Sequence, residues 1–230
     1  MKSSLFLLLV LCIFTANASQ DTIIRNETLF HPVTGKLGMV STQEAVATEI
    51  GLDILKKGGN AVDAAVAVGF AMAVTLPKAG NIGGGGFMLI HLADQTIAID
   101  YREMAPAAAH KDMFLDTDGT VNNELARNSF RSAGVPGTVA GLLHALNQYG
   151  TMKREEVLAP AIKLADEGFT LSYELALELE GRRKQLSRSA AGKRKFFKAD
   201  GKSYKAGEIF KQKDLAWSLK QISKHGKQAF

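Results

Sequence analysis

The segment Ala61–Val74, AVDAAVAVGFAMAV, constrains the fold more than any other stretch of the chain. It is built almost entirely of Ala, Val, Gly, Phe and Met, without the polar stripe that a surface helix keeps, so a helix made from it is buried on most sides. Asn60 is placed to cap its start and Pro77 to stop it. Such a helix belongs in a layered fold.

The flanking pattern agrees. Gly38–Thr42 reads as a short strand, followed by a helix from about Gln43 to Lys57 with Ser41 or Thr42 available as cap. In that helix Val46, Ile50 and Ile54 fall four apart, with Ala47 and Leu55 beside them, and Gly58-Gly59 ends it. Two apolar runs, Phe87–Leu92 and Thr96–Tyr101, are separated by Ala93-Asp94-Gln95 and suggest a β-hairpin. The first run is apolar on both faces, which predicts a sheet covered on both sides. From Pro136 onward the spacing predicts helices over Gly137–Tyr149, Lys153–Glu167, Tyr173–Leu186 and Lys213–His225, with Gly150, Gly168 and Gly226 where helices end. No internal repeat is present. The expectation is one α/β or α+β layered domain.

Composition sharpens this at two points. The 230 residues are 46% hydrophobic and 22% charged, which excludes disorder and fibrous repeats. The net charge of +5 hides an asymmetry: Gly181–Phe230 carries 15 basic and 3 acidic residues. Nucleic acid is the sharp reading of such a tail, and a solvated face or a surface for an acidic partner is the plainer one. The N-terminus decides between them. Lys2, the apolar run Leu5–Phe14 and Ala16-Asn17-Ala18 read as a secretory signal peptide over residues 1–18, which argues against a genomic partner and against an intracellular nucleotide-using enzyme. Its apolar run is too short to anchor the chain in a bilayer. Leu11 before Cys12 does not fit a lipobox. Cleavage after Ala18 removes the single cysteine, and with it disulfides, thiol catalysis and cysteine metal sites. Residues 19–37 form a polar lead-in, with a chance-level glycosylation sequon at Asn26, and 38–230 the folded part.

Two motifs stand out as candidate chemistry. In KAGNIGGGGFML, Lys78–Leu89, four consecutive glycines precede a buried strand, so the loop either packs closely under another surface or offers amides to an anion. It fits neither nucleotide-binding glycine pattern. In AIDYREMAP, Ala98–Pro106, period-two alternation sets Asp100 and Arg102 on one face at a strand end. They form either a surface ion pair or a guanidinium held with one edge free for a carboxylate. His31, His91, His110, His144 and His225 are scattered without metal-ligand spacing, and no G-x-S-x-G elbow occurs.

The blocks GGNAVDAAVAVGFAMAV (Gly58–Val74), AGNIGGGGFML (Ala79–Leu89), AIDYREMAP, GVPGTVAG (Gly134–Gly141) and YGTM (Tyr149–Met152) resemble, in order and spacing, the bacterial γ-glutamyltranspeptidases. The resemblance runs from about Gly38 to Phe230. It implies an N-terminal-nucleophile hydrolase with an αββα sandwich, incomplete in this chain, made as a precursor that cuts itself into large and small subunits. The nucleophile is the threonine that opens the small subunit, with its own α-amine as base. That threonine is expected beyond residue 230, so no catalytic residue is expected here and the chain alone is expected to be inactive. Thr138 and Thr151 belong to large-subunit blocks and are not candidates. The substrate-binding residue that carries over is Arg102, which would grip the α-carboxylate of the γ-glutamyl group.

The resemblance implies no cofactor and no metal. It implies glutathione and other γ-glutamyl compounds as substrates, the small subunit of the same precursor as partner, and a periplasmic or secreted location. Two other readings stay open: a related acylase, acting on cephalosporin or glutaryl amides or on poly-γ-glutamate, and a non-catalytic exported binding module.

Overall fold

The computed structural model describes residues 33–230. The signal peptide, Cys12, the sequon at Asn26 and His31 lie outside them. Residues 33–38 are a short lead-in with a bend at Lys36-Leu37, and residues 39–230 form one body.

The body is organised on the apolar helix. Helix α1 spans Ala45–Lys56 and α2 spans Ala61–Thr75. Ten of the fifteen residues of α2 are buried, Val66, Ala67, Phe70, Ala71 and Val74 completely. Its start is closed by a capping box: the Asn60 side chain accepts from the amides of Val62 and Asp63 at 2.9 and 3.0 Å, and the Asp63 carboxylate accepts from the Asn60 amide at 2.8 Å. At the other end Leu76 closes α2 just before Pro77, and Gln212 Nε2 donates to the Val74 carbonyl at 2.7 Å.

Helix α1 packs along α2 on a face rotated from the expected one. Its buried stripe is Ala47, Gly51 and Ile54, with Ile50 half-buried and Val46 exposed. Gly51 explains the rotation, since a Cβ there would stand 2.8 Å from both Val40 and Val68. The cap also differs. Thr42 Oγ1 bonds the amide and carbonyl of Glu44 and does not cap α1, whose N-cap is Glu44. Residues 38–42 are irregular and not a strand; no described strand pairs with them.

The hairpin is present as β1, Phe87–Leu92, and β2, Gln95–Asp100, in antiparallel register from Phe87 opposite Asp100 to Leu92 opposite Gln95. The connection is the two residues Ala93-Asp94, with Ala93 in the left-handed region at φ 41°. Alternation places Met88, Ile90, Ile97 and Ile99 against the helices. The opposite face is open: Phe87 is 66% and Leu89 77% exposed. The expectation of cover on both sides therefore fails among the described residues, where helices lie on one face only.

Further on come α3 (Asn123–Asn128), α4 (Thr138–Tyr149), α5 (Arg154–Glu167), β3 (Phe169–Thr170), α6 (Tyr173–Gly181), α7 (Arg183–Leu186), α8 (Ala190–Phe196), β4 (Ile209–Phe210) and α9 (Lys213–His225). The helix expected over Tyr173–Leu186 is interrupted at Arg182, which closes α6 and precedes α7. Helices α4 and α5 complete the surroundings of α2, and α9 lies on α5. Gly168 and Gly226, at φ 92° and 70°, end α5 and α9 as expected. Strands β3 and β4 pair under an aromatic cluster, in which Phe210 meets Phe169 and Tyr204 edge to face at 6.1 and 5.1 Å.

The basic tail folds back on acidic residues that precede it. Arg188 pairs with Glu124, Arg182 with Glu178, Arg183 with Glu180, and both Lys213 and Lys220 with Asp166. The two lysines hold the Asp166 carboxyl at a pKa of about 2. These pairs are exposed, so solvent screens them and each adds little to stability. Their main effect is to reduce the charge contrast seen in the sequence.

Candidate active site

The glycine loop meets the AIDYREMAP block directly. The Gly86 amide and carbonyl bond those of Tyr101, at 3.3 and 3.0 Å, which carries the hairpin ladder one step past β2. The Gly84 carbonyl then accepts from the amides of Gly137 and Thr138 at 2.8 and 3.0 Å, so the loop also seats the first turn of α4. A Cβ on Gly85 would lie 2.5 Å from the Tyr101 carbonyl oxygen, one on Gly137 at 1.9 Å from the same atom, and one on Gly141 at 2.2 Å from Tyr101 Cγ. None of the three has a positive φ. Their role is close approach and not unusual backbone conformation. Of the two readings of the loop, the geometry carries close packing: three segments converge on Tyr101, and no side chain fits between them.

Tyr101 is thereby fixed, and Arg102 follows it at the rim. Burial pushes the Tyr101 hydroxyl pKa up, so it stays protonated at neutral pH. Arg102 is exposed. Its amide donates to Asp100 Oδ1 at 3.0 Å, and its guanidinium lies over the Phe87 ring, 5.8 Å from the centroid. Among the described residues the guanidinium has no carboxylate within ion-pair distance. The surface ion pair with Asp100 is therefore not formed, because the carboxylate is turned to the backbone. Arg102 stands at one edge of a cleft of about 740 Å³ whose other walls include Met104, His144, Asn147 and Arg154. Arg154, another of its walls, donates to the carbonyls of Ser223 and Lys224, at 2.7 and 3.2 Å, which caps the C-terminal end of α9.

The two threonines set aside in the sequence are engaged in structure. Thr138 Oγ1 donates to the Asn81 carbonyl at 3.2 Å, and Thr151 Oγ1 donates to Asp63 Oδ2 at 2.7 Å. Sequence reasoning passed over Asp63. Its carboxylate is fully buried and takes hydrogen bonds from Asn60, Thr151 and Met152. Burial pushes its pKa up, but these bonds outweigh it and the pKa lies below the ordinary value. The signal was present as an acidic residue three places after the Asn60 cap. Among the described residues no three His, Cys, Asp or Glu side chains are grouped as a metal site requires. Nor is any described helix long and apolar enough to cross a membrane.

Solved structures share this fold. The γ-glutamyltranspeptidase of Helicobacter pylori superimposes with a TM-score of 0.85 at 46% identity, covering 86% of this chain and 58% of that one. The Bacillus anthracis transpeptidase CapD gives a TM-score of 0.70 at 35% identity, covering 86% and 61%. A cephalosporin acylase from Bacillus halodurans, at 24% identity and a TM-score of 0.71 over 90% of this chain and 40% of that one, shares the fold alone. The class defined by this fold is the N-terminal-nucleophile hydrolases, here with the layer of helices on one face of the hairpin.

Within that class a sequence profile described as gamma-glutamyltranspeptidase matches residues 47–230. The glutathione hydrolase proenzyme of Escherichia coli K12 is 48% identical over 205 residues, 89% of this chain and 35% of its own length. That of Bacillus subtilis 168 is 46% identical over 199 residues, 85% and 34%. The chain belongs to the γ-glutamyltranspeptidase family. It spans about a third of the length of these curated relatives.

Proposed function

We propose that this chain is the N-terminal part of the large subunit of an exported γ-glutamyltransferase and glutathione hydrolase, with residues 1–18 as signal peptide, 19–37 as lead-in and 38–230 as the large-subunit segment. Arg102 is its substrate-binding residue. The observation that carries this reading is an exposed guanidinium, without a carboxylate partner among the described residues, at the rim of a cleft and on a backbone locked by glycine packing. A bidentate guanidinium-to-carboxylate bond fixes orientation as well as charge and contributes about 1.5–3 kcal/mol.

The reaction it serves is acyl transfer. A threonine hydroxyl, supplied by sequence beyond residue 230, attacks the γ-carbonyl of the donor. Its proton passes through the threonine's own α-amine to the departing amine as the amide bond breaks. Water or the amine of an amino acid then takes the γ-glutamyl group from the threonine oxygen, regenerating the hydroxyl. Arg102 takes no proton. It holds the donor's α-carboxylate so that the γ-carbonyl meets the nucleophile. Glutathione is the donor class that the names of the relatives favour.

The test is a comparison of γ-glutamyl-p-nitroanilide with glutaryl-cephalosporin in the full-length, self-processed protein. Turnover of the γ-glutamyl donor, with little on the glutaryl compound, is expected. The opposite preference would replace this reading with the acylase one, and no turnover of either by an intact precursor would favour the binding module.

A further inference from the structure

Arg102 is held by a cross-strand pair. Phe87 and Asp100 are register partners at the open end of the hairpin, and each touches Arg102 differently. The Asp100 carboxylate fixes the Arg102 amide at 3.0 Å, which sets the backbone turn from which the side chain leaves. The Phe87 ring lies under the guanidinium at 5.8 Å. Phe87 is 66% exposed, although an aromatic ring at that position costs solvation unless it meets something. The long Arg side chain has many rotamers, and ordering them on binding is costly. A guanidinium held over a ring is already ordered, with both nitrogen edges free for a carboxylate.

We infer that Phe87 and Asp100 are positioning residues that preorganise Arg102 for the donor's α-carboxylate. This rests on the reading of Arg102 given above. The pair acts on donor binding through Arg102 and does not touch the reacting bond. Its signature is a change in donor KM, with kcat and self-cleavage largely retained.

The experiment uses the full-length precursor and γ-glutamyl-p-nitroanilide, with self-cleavage as the measure of folding. Phe87→Leu is expected to raise donor KM about two- to fivefold, the range of an exposed cation–π contact, and Phe87→Tyr to restore it. Asp100→Ala is expected to raise donor KM and Asp100→Asn, which keeps an acceptor oxygen for the Arg102 amide, to restore it. Leu89→Ala, on the same open face but paired with Ala98 and not with Asp100, is the control. In an Arg102→Ala background Phe87→Leu is expected to add nothing. Phe87→Leu leaving KM unchanged, or raising it equally in the Arg102→Ala background, would overturn the inference while the role of Arg102 stands. If Arg102→Ala itself left donor KM unchanged, the underlying reading would fail first.

Discussion

The carboxylate of Asp63, buried at the start of one helix, accepts both the hydroxyl and the amide of Thr151, 88 residues later, at 2.7 and 2.9 Å. With the adjoining bonds from Met152 and Asn60, it locks the loop between α4 and α5 onto the first turn of α2. The opposite end of α4 seats the glycine loop and Tyr101. The carboxylate therefore anchors the helix whose other end supports the site.

Asp63→Ala leaves the amides of Asn60, Thr151 and Met152 without that acceptor in a buried setting. It is expected to cost at least about 3 kcal/mol, and Thr151→Val about 1 kcal/mol. Chemical denaturation of the two single variants and the double variant checks this. The double variant should fall well short of the sum, because both changes remove the same contact.

The same carboxylate gives a pH dependence of known sign. Its folded-state pKa lies below the ordinary value of 3.8, so the folded protein binds this proton less readily than the unfolded chain. The stabilisation is complete above about pH 4 and is lost as pH falls through the folded pKa. Stability measured from about pH 5 down to pH 3 should fall more steeply in the wild-type protein than in Asp63→Asn. Parallel slopes would contradict the assignment.

Gly141 and Gly181 make a paired test of the close-packing account. A Cβ at Gly141 would lie 2.2 Å from Tyr101 Cγ, whereas one at Gly181 would meet nothing within 4 Å. Gly141→Ala is expected to destabilise by about 1–3 kcal/mol or more through overpacking and to raise donor KM by displacing Arg102. Gly181→Ala, at the end of α6, is expected to stabilise by about 0.5–1 kcal/mol. Thermal melts of the two variants distinguish these outcomes.

The sequence was most legible where composition or spacing agreed with a signal at the helix end. Ala61–Thr75, one residue longer than expected, is apolar almost throughout and capped by Asn60, and Lys213–His225 has the expected span, with Gly226 as its stop. Asn123–Asn128 and Ala190–Phe196 escaped notice because neither buries a residue, which leaves no periodic signal. Cover on both faces of the hairpin was inferred from composition, and composition does not say whether the covering layer lies within residues 33–230. At the site, alternation correctly brought Asp100 and Arg102 to one strand end. It does not distinguish a carboxylate bonded to a guanidinium from one bonded to the backbone amide two residues on, and the structure has the second.

The central claim is that Arg102 recognises the donor's α-carboxylate. The most direct measurement compares kcat/KM for γ-glutamyl-p-nitroanilide with that for its analogue lacking the α-carboxylate, 4-aminobutyryl-p-nitroanilide, in the full-length wild-type and Arg102→Lys proteins. Lysine keeps the charge and loses the fork. The γ-glutamyl donor is expected to lose about tenfold or more, corresponding to about 1.4 kcal/mol of transition-state stabilisation, while the analogue changes little and self-cleavage is intact. Equal losses on both donors, or none on either, would contradict it.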